Sequence, residues 1–341
     1  MSIARRADRI EGGTSRRDGL VRDPRGHSVH VGAEHAGIAE RYAREWLEHE
    51  ATAAILAVAE PSADAMARRY RLPDGCADSL TDPDDLANIL PLARVLIAVA
   101  RPIDQIVAAF RSGSGVPYSV YGQELVEGQA GMNRPAFTHL LTSQWLPAVP
   151  DVHARLQSGP PARVADVACG AAWSSIAMAR AYPGITIDAY DADGPSAELG
   201  RRNVAEAGLV DRVRVRVLDA STIPDHERYD LVTIFEAVHD MARPIEVLRR
   251  VHGLVREQGA VIVMDENVGE SFEAPGGLDS FMYAAGMVLC LPTALAEPDA
   301  VGTGAVMRPS ALDAYVREAG FSAMETLPIE YPFFRFYRLR P

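Results

Sequence analysis

From about residue 160 onward the sequence predicts an α/β domain on a doubly wound parallel sheet, with a mostly helical domain ahead of it. Three observations carry that reading. Strand-sized apolar runs alternate with helix-sized runs between Val164 and Met264, the pattern of a parallel sheet. Val213, Val215 and Val217 alternate with Arg212, Arg214 and Arg216, as an edge strand with one wet face does. After a last helix the chain closes on two further β-like runs, one expected to lie antiparallel at the C-terminus.

The elements follow in order. Residues 1–30 hold seven arginines, four acids and little apolar periodicity. Such a stretch buries too little apolar area to offset its ordering entropy and reads as a disordered leader. Helical periodicity runs from Glu34 to Val58, with Ile38, Tyr42 and Trp46 every four residues and Ala43 and Leu47 beside them. Arg69–Leu72 reads as a short strand, so helix plus ribbon suggests a winged-helix-like module. Asp82–Asn88 reads as a helix, with Thr81 its N-cap. Leu90–Phe110 is helical, with Pro91 and Pro102 as boundaries or kinks. Ser112–Pro117 is a loop, and Pro135–Leu146 and Val152–Leu156 are helices. The domain plan is 1–30, 31–158 and 159–341. In the last part the predicted strands are 164–167, 185–190, 213–217, 231–235, 260–264, 321–327 and 333–339. The predicted helices are 174–181, 195–207, 244–255 and 309–319.

Composition excludes several chemistries. All 34 basic side chains are arginine. Without lysine there is no Schiff-base amine, pyridoxal-phosphate anchor or Walker A loop. A net charge of −12 disfavours nucleic-acid backbones and anionic lipid. Cys76, Cys169 and Cys290 lie far apart, which suits a reducing compartment, with the cytoplasm the default. No apolar run reaches 18 residues, so no membrane span is expected.

The chemistry concentrates at four strand ends. Val164–Ser175 leaves a strand, turns through small residues and enters a helix; small residues let a ligand approach, and the helix start favours negative charge. Ala168 and Ala172 stand where glycine-rich signatures place glycines. Asp191, about 20 residues on, can accept from both hydroxyls of a ribose. Asp219-Ala220 ends the third strand, where an acid can accept from an adenine amine. Phe235-Glu236-Ala237-Val238-His239-Asp240 ends the fourth.

These segments resemble a class I S-adenosylmethionine-dependent methyltransferase. More narrowly, the chain is similar to actinobacterial and related methyltransferases with an N-terminal winged-helix-like domain. The resemblance covers about residues 35–341 and rests on AERYAREWLEHEA (39–51), EGQAGMNRPAFTHLL (127–141), WLPAVPDVHARL (145–156), VADVACGAAWSSIAMARAYP (164–183), RYDLVTIFEAVHDM (228–241), VIVMDE (261–266) and CLP (290–292). It implies a Rossmann-like sheet and S-adenosylmethionine as cofactor, with methyl transfer to oxygen, nitrogen or carbon of a small molecule. Asp166, Ala168 and Gly170 would surround the methionine part, Asp191 the ribose, and Asp219 and Ala220 the adenine. Phe235 and Glu236 would line the cofactor. In similar proteins, helices ahead of the AERYAREWL segment complete the first domain and often make a dimer. Residues 1–30 do not read as those helices, so that domain reads as truncated and a homodimer stays open.

His239 is the candidate general base, since its ordinary pKa suits proton removal near neutrality; a helix cap or a pair with Asp240 is the alternative. A metal on His239-Asp240 is weighed and set aside, because the later His252 falls within a helix. Asn133, Arg134 and Trp145 are candidates to close over the cofactor, and Tyr283 and Cys290 to wall the acceptor pocket, a closed pocket rather than a nucleic-acid groove. The N-terminal module allows a DNA-binding regulator, but Glu40, Glu45, Glu48 and Glu50 crowd its helix and would repel phosphates.

Overall fold

A computed structural model describes residues 26–73, 75–224 and 226–341. The expectation for the leader falls largely on residues outside that set. The chain divides into two compact units, Met1–Asn88 and Ile89–Pro341. The helices between residues 90 and 157 therefore group with the sheet.

In the first unit, β1 (His27–Ser28) leads into α1 (Val29–Ala36), followed by α2 (Glu40–Thr52), β2 (Ala57–Ala59), β3 (Arg69–Arg71) and α3 (Ala77–Thr81). The strands form an antiparallel sheet with β3 in the middle. Ser28 caps α1 by accepting from the Val31 N–H. The buried stripe of α2 is Ala43, with Leu47 and Ala51 beside it. Tyr42 and Trp46, expected on the apolar face, are exposed. The expected helix over Asp82–Asn88 does not form. The side chains of Asp82 and Asp85 accept from the backbone N–H of Asp84 and Ala87, and these local turns outcompete a helical ladder. Thr81 ends α3, donating to the Ala77 carbonyl at 2.6 Å.

The second unit opens with α4 (Leu90–Ala100), α5 (Ile103–Ser112), α6 (Tyr118–Tyr121) and α7 (Gln123–His139). The sequence places the start of the last of these at Pro135; the helix in fact begins twelve residues earlier and carries that proline inside it. α4 packs closely on α7 because Gly128 and Gly131 lack side chains. A Cβ there would meet Val95 or Pro91 at 2.7–2.8 Å. A π-turn (Leu141–Trp145) and α8 (Pro150–Gln157) follow.

The sheet then forms from β4 (Arg163–Val167), β5 (Thr186–Asp191), β6 (Val213–Val217), β7 (Tyr229–Phe235), β8 (Val255–Glu266), β9 (Ala323–Thr326) and β10 (Phe334–Arg340). Their spatial order is β6-β5-β4-β7-β8-β10-β9. The first five run parallel, and β10 lies antiparallel to both β8 and β9. The helices α9 (Trp173–Ala181), α10 (Gly194–Glu206), α11 (Pro244–Leu254) and α14 (Pro309–Glu318) join the strands. The apolar side chains form separate clusters on the two sheet faces, as a doubly wound sheet requires. Val213 and Val215 of the edge strand are buried and Arg214 is exposed, but the expected alternation stops at Val217, which is exposed at the strand end. Between β8 and α14 lie α12 (Leu278–Val288) and α13 (Cys290–Ala294). Among the described residues no helix is long and apolar enough to cross a membrane.

Candidate active site

The order of strands reverses between β4 and β7, and a crevice opens there beyond their C-terminal ends, as sheets of this kind provide. It holds a cavity of about 350 Å³. The cavity is bordered by Asp166–Ala171, Asp191, Asp219, Ala220, Phe235 and Glu236, so all eight residues proposed for the cofactor meet at one place. α6 and α7 add Tyr118, Gln129, Asn133 and Phe137, which the strand-end signatures did not reveal.

The loop after β4 turns by left-handed backbone at alternate residues. The φ angles are 56° at Ala168, 51° at Gly170 and 61° at Ala172. The two alanines that replace glycines therefore carry strain. A Cβ on Gly170 would meet open space, so backbone angle rather than crowding favours glycine there. Gly200 of α10 lets that helix approach the loop, since a Cβ would lie 3.0 Å from the Gly170 carbonyl oxygen.

Two carboxylates hold this loop. Asp166 lies opposite Thr233 in the β4–β7 register. Its Oδ1 accepts from the Thr233 hydroxyl at 2.8 Å, and its Oδ2 accepts from Ser174 and Ser175 at 2.6 Å each. Burial pushes its pKa up, and the three hydroxyls work against that rise. Asp166 thus borders the cavity while its carboxylate fixes the entry to α9. Asp191 accepts from the Gly170 N–H at 2.7 Å and the Asp193 N–H at 2.9 Å. Burial pushes its pKa up to about 6, and those two N–H groups oppose the shift.

Asp219 caps a 3-10 turn at Ala220–Thr222. Its Oδ1 accepts from the Ser221 N–H and hydroxyl, while Oδ2 lies 4.0 Å from the Arg243 guanidinium. Phe235 stacks on Phe137 with ring centroids 5.7 Å apart. Glu236 has φ 54° and donates its N–H to the Met264 carbonyl. Its Oε2 is buried with no hydrogen-bond partner among the described residues, and burial pushes its pKa up to about 7.

His239 lies behind the cavity wall, not on it. The ring is buried, and its Nδ1 is 2.7 Å from Asp265 Oδ1. Nε2 lies 3.3 Å from Asp240 Oδ1 and 4.0 Å from Glu266 Oε1. Burial lowers its pKa, but Asp240 and Asp265 outweigh burial and hold it well above the ordinary value. Asp240 itself borders the cavity. Cys290 comes within 4.8 Å of the His239–Asp240 pair, a contact that 51 residues of separation hid from the sequence. His252 packs edge-on against Phe321 instead.

Of the other expected wall residues, Asn133 borders the cavity. The Arg134 guanidinium lies 4.3 Å from the Trp173 ring centroid, and Trp173 is part of the wall. Trp145 is core, against Phe137, Tyr331 and Phe336. The Tyr283 hydroxyl accepts from Arg308 at 3.3 Å.

These residues fit S-adenosylmethionine. Asp191 borders the cavity with acceptor capacity left for hydroxyls, Asp219 keeps one oxygen without a close donor among the described residues, and the volume suits a cofactor of that size.

A family model described as a methyltransferase domain matches residues 164–259. The chain is 30% identical over 127 residues to an L-tyrosine C(3)-methyltransferase of Streptomyces lavendulae, covering 36% of this chain and 34% of that protein. The chain thus aligns with about a third of that curated relative's length. Its fold is similar to an O-methyltransferase family protein from Burkholderia thailandensis (TM-score 0.64, 15% identity, covering 100% of this chain and 98% of that one). It is also similar to human N-acetylserotonin methyltransferase, solved in complex with S-adenosylmethionine (TM-score 0.68, 15% identity, 95% and 89%). Residues 164–259 are a methyltransferase domain, and the sheet that contains them has the fold of class I S-adenosylmethionine-dependent methyltransferases.

Proposed function

We propose that this chain is an S-adenosylmethionine-dependent methyltransferase acting on an oxygen, nitrogen or carbon of a small molecule, in the manner of secondary-metabolite enzymes. The observation that carries this is the convergence of four strand ends on one cavity within the matched domain. The cofactor, when bound, supplies a methyl group already activated on its sulfonium, so the chain's main task is positioning. Asp191 would hold the ribose, and Asp219 and Ala220 the adenine. Ala168 and Gly170 would admit the methionine end, and Asp166 would fix the turn that does so. Phe235 and Glu236 would line the fourth side. Titrating S-adenosylhomocysteine by calorimetry against wild type and Asp191→Ala tests this. Weakening only in the variant supports the ribose assignment, and equal affinity in both refutes it.

His239 is the candidate catalytic group, its ring oriented through Nδ1 by Asp265. An unchanged rate in His239→Ala on the true acceptor would remove that role. Its position off the cavity wall favours a second reading, a cofactor-binding relative that has lost methyl transfer. Binding of S-adenosylhomocysteine with no turnover across an acceptor panel would point there.

The charge of −12 supports neither nucleic acid nor anionic membrane as a partner. On α2, Arg41 pairs with Glu45, and Arg68 reaches Glu48 at 2.7 Å, which further disfavours a DNA-binding role. Leu96, Ile97, Ile103, Val107 and Phe110 expose apolar surface on α4 and α5, which supports a homodimer. Sedimentation equilibrium at micromolar protein reads that out directly. Three free thiols support a cytoplasmic setting.

A further inference from the structure

We propose that α6 and α13 form a movable roof over the cofactor cavity, latched by Arg243 and Glu297, whose opening sets the rate of cofactor exchange, given the reading of that cavity as an S-adenosylmethionine site. Three observations lead there. First, α6 and α13 are packed as one body. Tyr118 of α6 and Thr293 of α13 both border the cavity. The Val116 N–H donates to the Pro292 carbonyl at 2.8 Å, and the Tyr121 hydroxyl donates to the Val288 carbonyl at 2.9 Å. Val116, Tyr121 and Leu289 share one buried apolar cluster. Gly115 lies so close to Leu295 and Ala296 that a Cβ would fall among their backbone atoms. Elements packed this densely shift together rather than piecemeal.

Second, the segment after α13 is tied to the rim of the crevice by polar contacts. Nη2 of Arg243 lies 3.0 Å from Glu297 Oε2, and its Nη1 donates to the Pro298 carbonyl at 3.5 Å. The Val301 N–H donates to the Ala242 carbonyl at 2.9 Å. Arg243 and Glu297 both border the cavity. The same guanidinium stands 4.0 Å from Asp219 Oδ2, so this latch closes over the end proposed for adenine. The two side chains are 32% and 55% exposed. An ion pair that wet is weak and salt-sensitive, so it opens and recloses easily. At the other end of the roof, the Tyr118 hydroxyl shares a hydrogen bond with Ser196, beside Asp191 and Asp193.

Third, the closed cavity is small for the reaction. Its volume of about 350 Å³ is at the low end of single-ligand sites, which run from about 300 to 1,000 Å³. One cofactor fills it. An acceptor must touch the cofactor's methyl group and so must share this space, and the two together need the roof displaced.

The backbone supplies positions for that movement. Gly113 and Gly122 bound α6 with φ of 75° and 77°. Closing elements turn on a few such terminal residues. The latch therefore governs both passages, cofactor exchange and acceptor entry, and the first is measurable without knowing the acceptor.

The test is kinetic and uses the full chain. S-adenosylhomocysteine is mixed with protein and followed by stopped-flow tryptophan fluorescence, with Trp173 on the cavity wall as reporter. Glu297→Gln should raise the association and dissociation rate constants together, each by about two- to fivefold, with a smaller change in their ratio. Added salt should speed exchange in wild type and leave Glu297→Gln unaffected. Ala242→Cys with Val301→Cys, once oxidised, ties the roof down and should slow both rate constants by about tenfold or more, reversed by reductant. A Glu297→Gln effect confined to dissociation overturns the latch, because it marks a direct ligand contact. Exchange that the oxidised cross-link leaves unchanged overturns it as well. Failure of wild type to bind S-adenosylhomocysteine overturns this proposal together with the methyl-transfer reading, whereas binding with unaltered exchange in the variants overturns the roof alone.

Discussion

The two halves of the sheet's C-terminal edge solve the same burial problem in opposite ways. On the β4–β5 side, the carboxylates of buried Asp166 and half-buried Asp191 meet hydroxyl and backbone N–H donors. On the β7–β8 side, Glu236, Asp240, Asp265 and Glu266 crowd one imidazole, and each keeps an oxygen with no hydrogen-bond partner among the described residues. Asp166, with three hydroxyl donors, is scaffold, and Asp191 is held by two N–H groups yet keeps acceptor capacity toward the cavity. An unsaturated carboxylate is a demand for something not yet in place, a proton or a ligand donor.

The largest expected effect breaks the saturated side. Asp166→Ala strands three hydroxyls inside the protein and should cost about 3–5 kcal/mol of unfolding free energy, measured by urea titration. If the cost is below about 1 kcal/mol, the carboxylate does not hold the loop and the contrast fails. Asp191→Ala should weaken S-adenosylhomocysteine by about 10- to 100-fold, the worth of charge-assisted hydrogen bonds to two hydroxyls.

The contrast sharpens with pH. The ribose hydroxyls need the ionised form of Asp191, whose pKa is pushed up to about 6. Below that pH the carboxyl binds a proton and loses an acceptor site. Affinity should therefore fall as pH drops through about 6, up to tenfold per unit. Asp191→Asn should flatten that limb. The linked stability runs the other way: a raised carboxyl pKa means the folded state holds the extra proton between about 4 and 6, so its ionisation costs stability as pH rises through that window.

On the unsaturated side, the matched change should be mild. Glu236→Gln removes a charge whose Oε2 is enclosed with no hydrogen-bond partner among the described residues and should leave stability unchanged or raise it by about 1 kcal/mol. A loss as large as that of Asp166→Ala would mean the two sides are alike after all. The smallest effect belongs to the loop itself. Ala168→Gly relieves a φ of 56° but adds unfolded-state entropy, so the net gain should be about 0–1 kcal/mol, read from the thermal midpoint.

Much of this was legible in the chain, and for local reasons. Strand and helix periods differ, so the predicted strands from Val164 to Leu339 lie close to the observed ones, and an acid at a strand end reads as an acid at the crevice. Reading failed where a local alternative competed. At Asp82–Asn88, aspartate side chains captured the backbone. At Tyr42 and Trp46, periodicity gave a stripe but not which stripe is buried, because Ala43 and Leu47 fit the first unit's core better. Pro135 looked like a helix start, yet the preceding turns already packed on α4 through Gly128 and Gly131.

The sequence by itself determined the doubly wound fold class, the excluded amine chemistries and four of the acids around the crevice. These follow from residue identity, local period and the rule that parallel strands open their ligand crevice at one edge. Only the tertiary structure decided which of those acids are satisfied, that His239 sits behind the wall, and that Cys290 comes to meet it. Partners brought together across 26 or 51 residues depend on how the β7 and β8 ends and the α12–α13 segment pack, and no local pattern encodes that geometry.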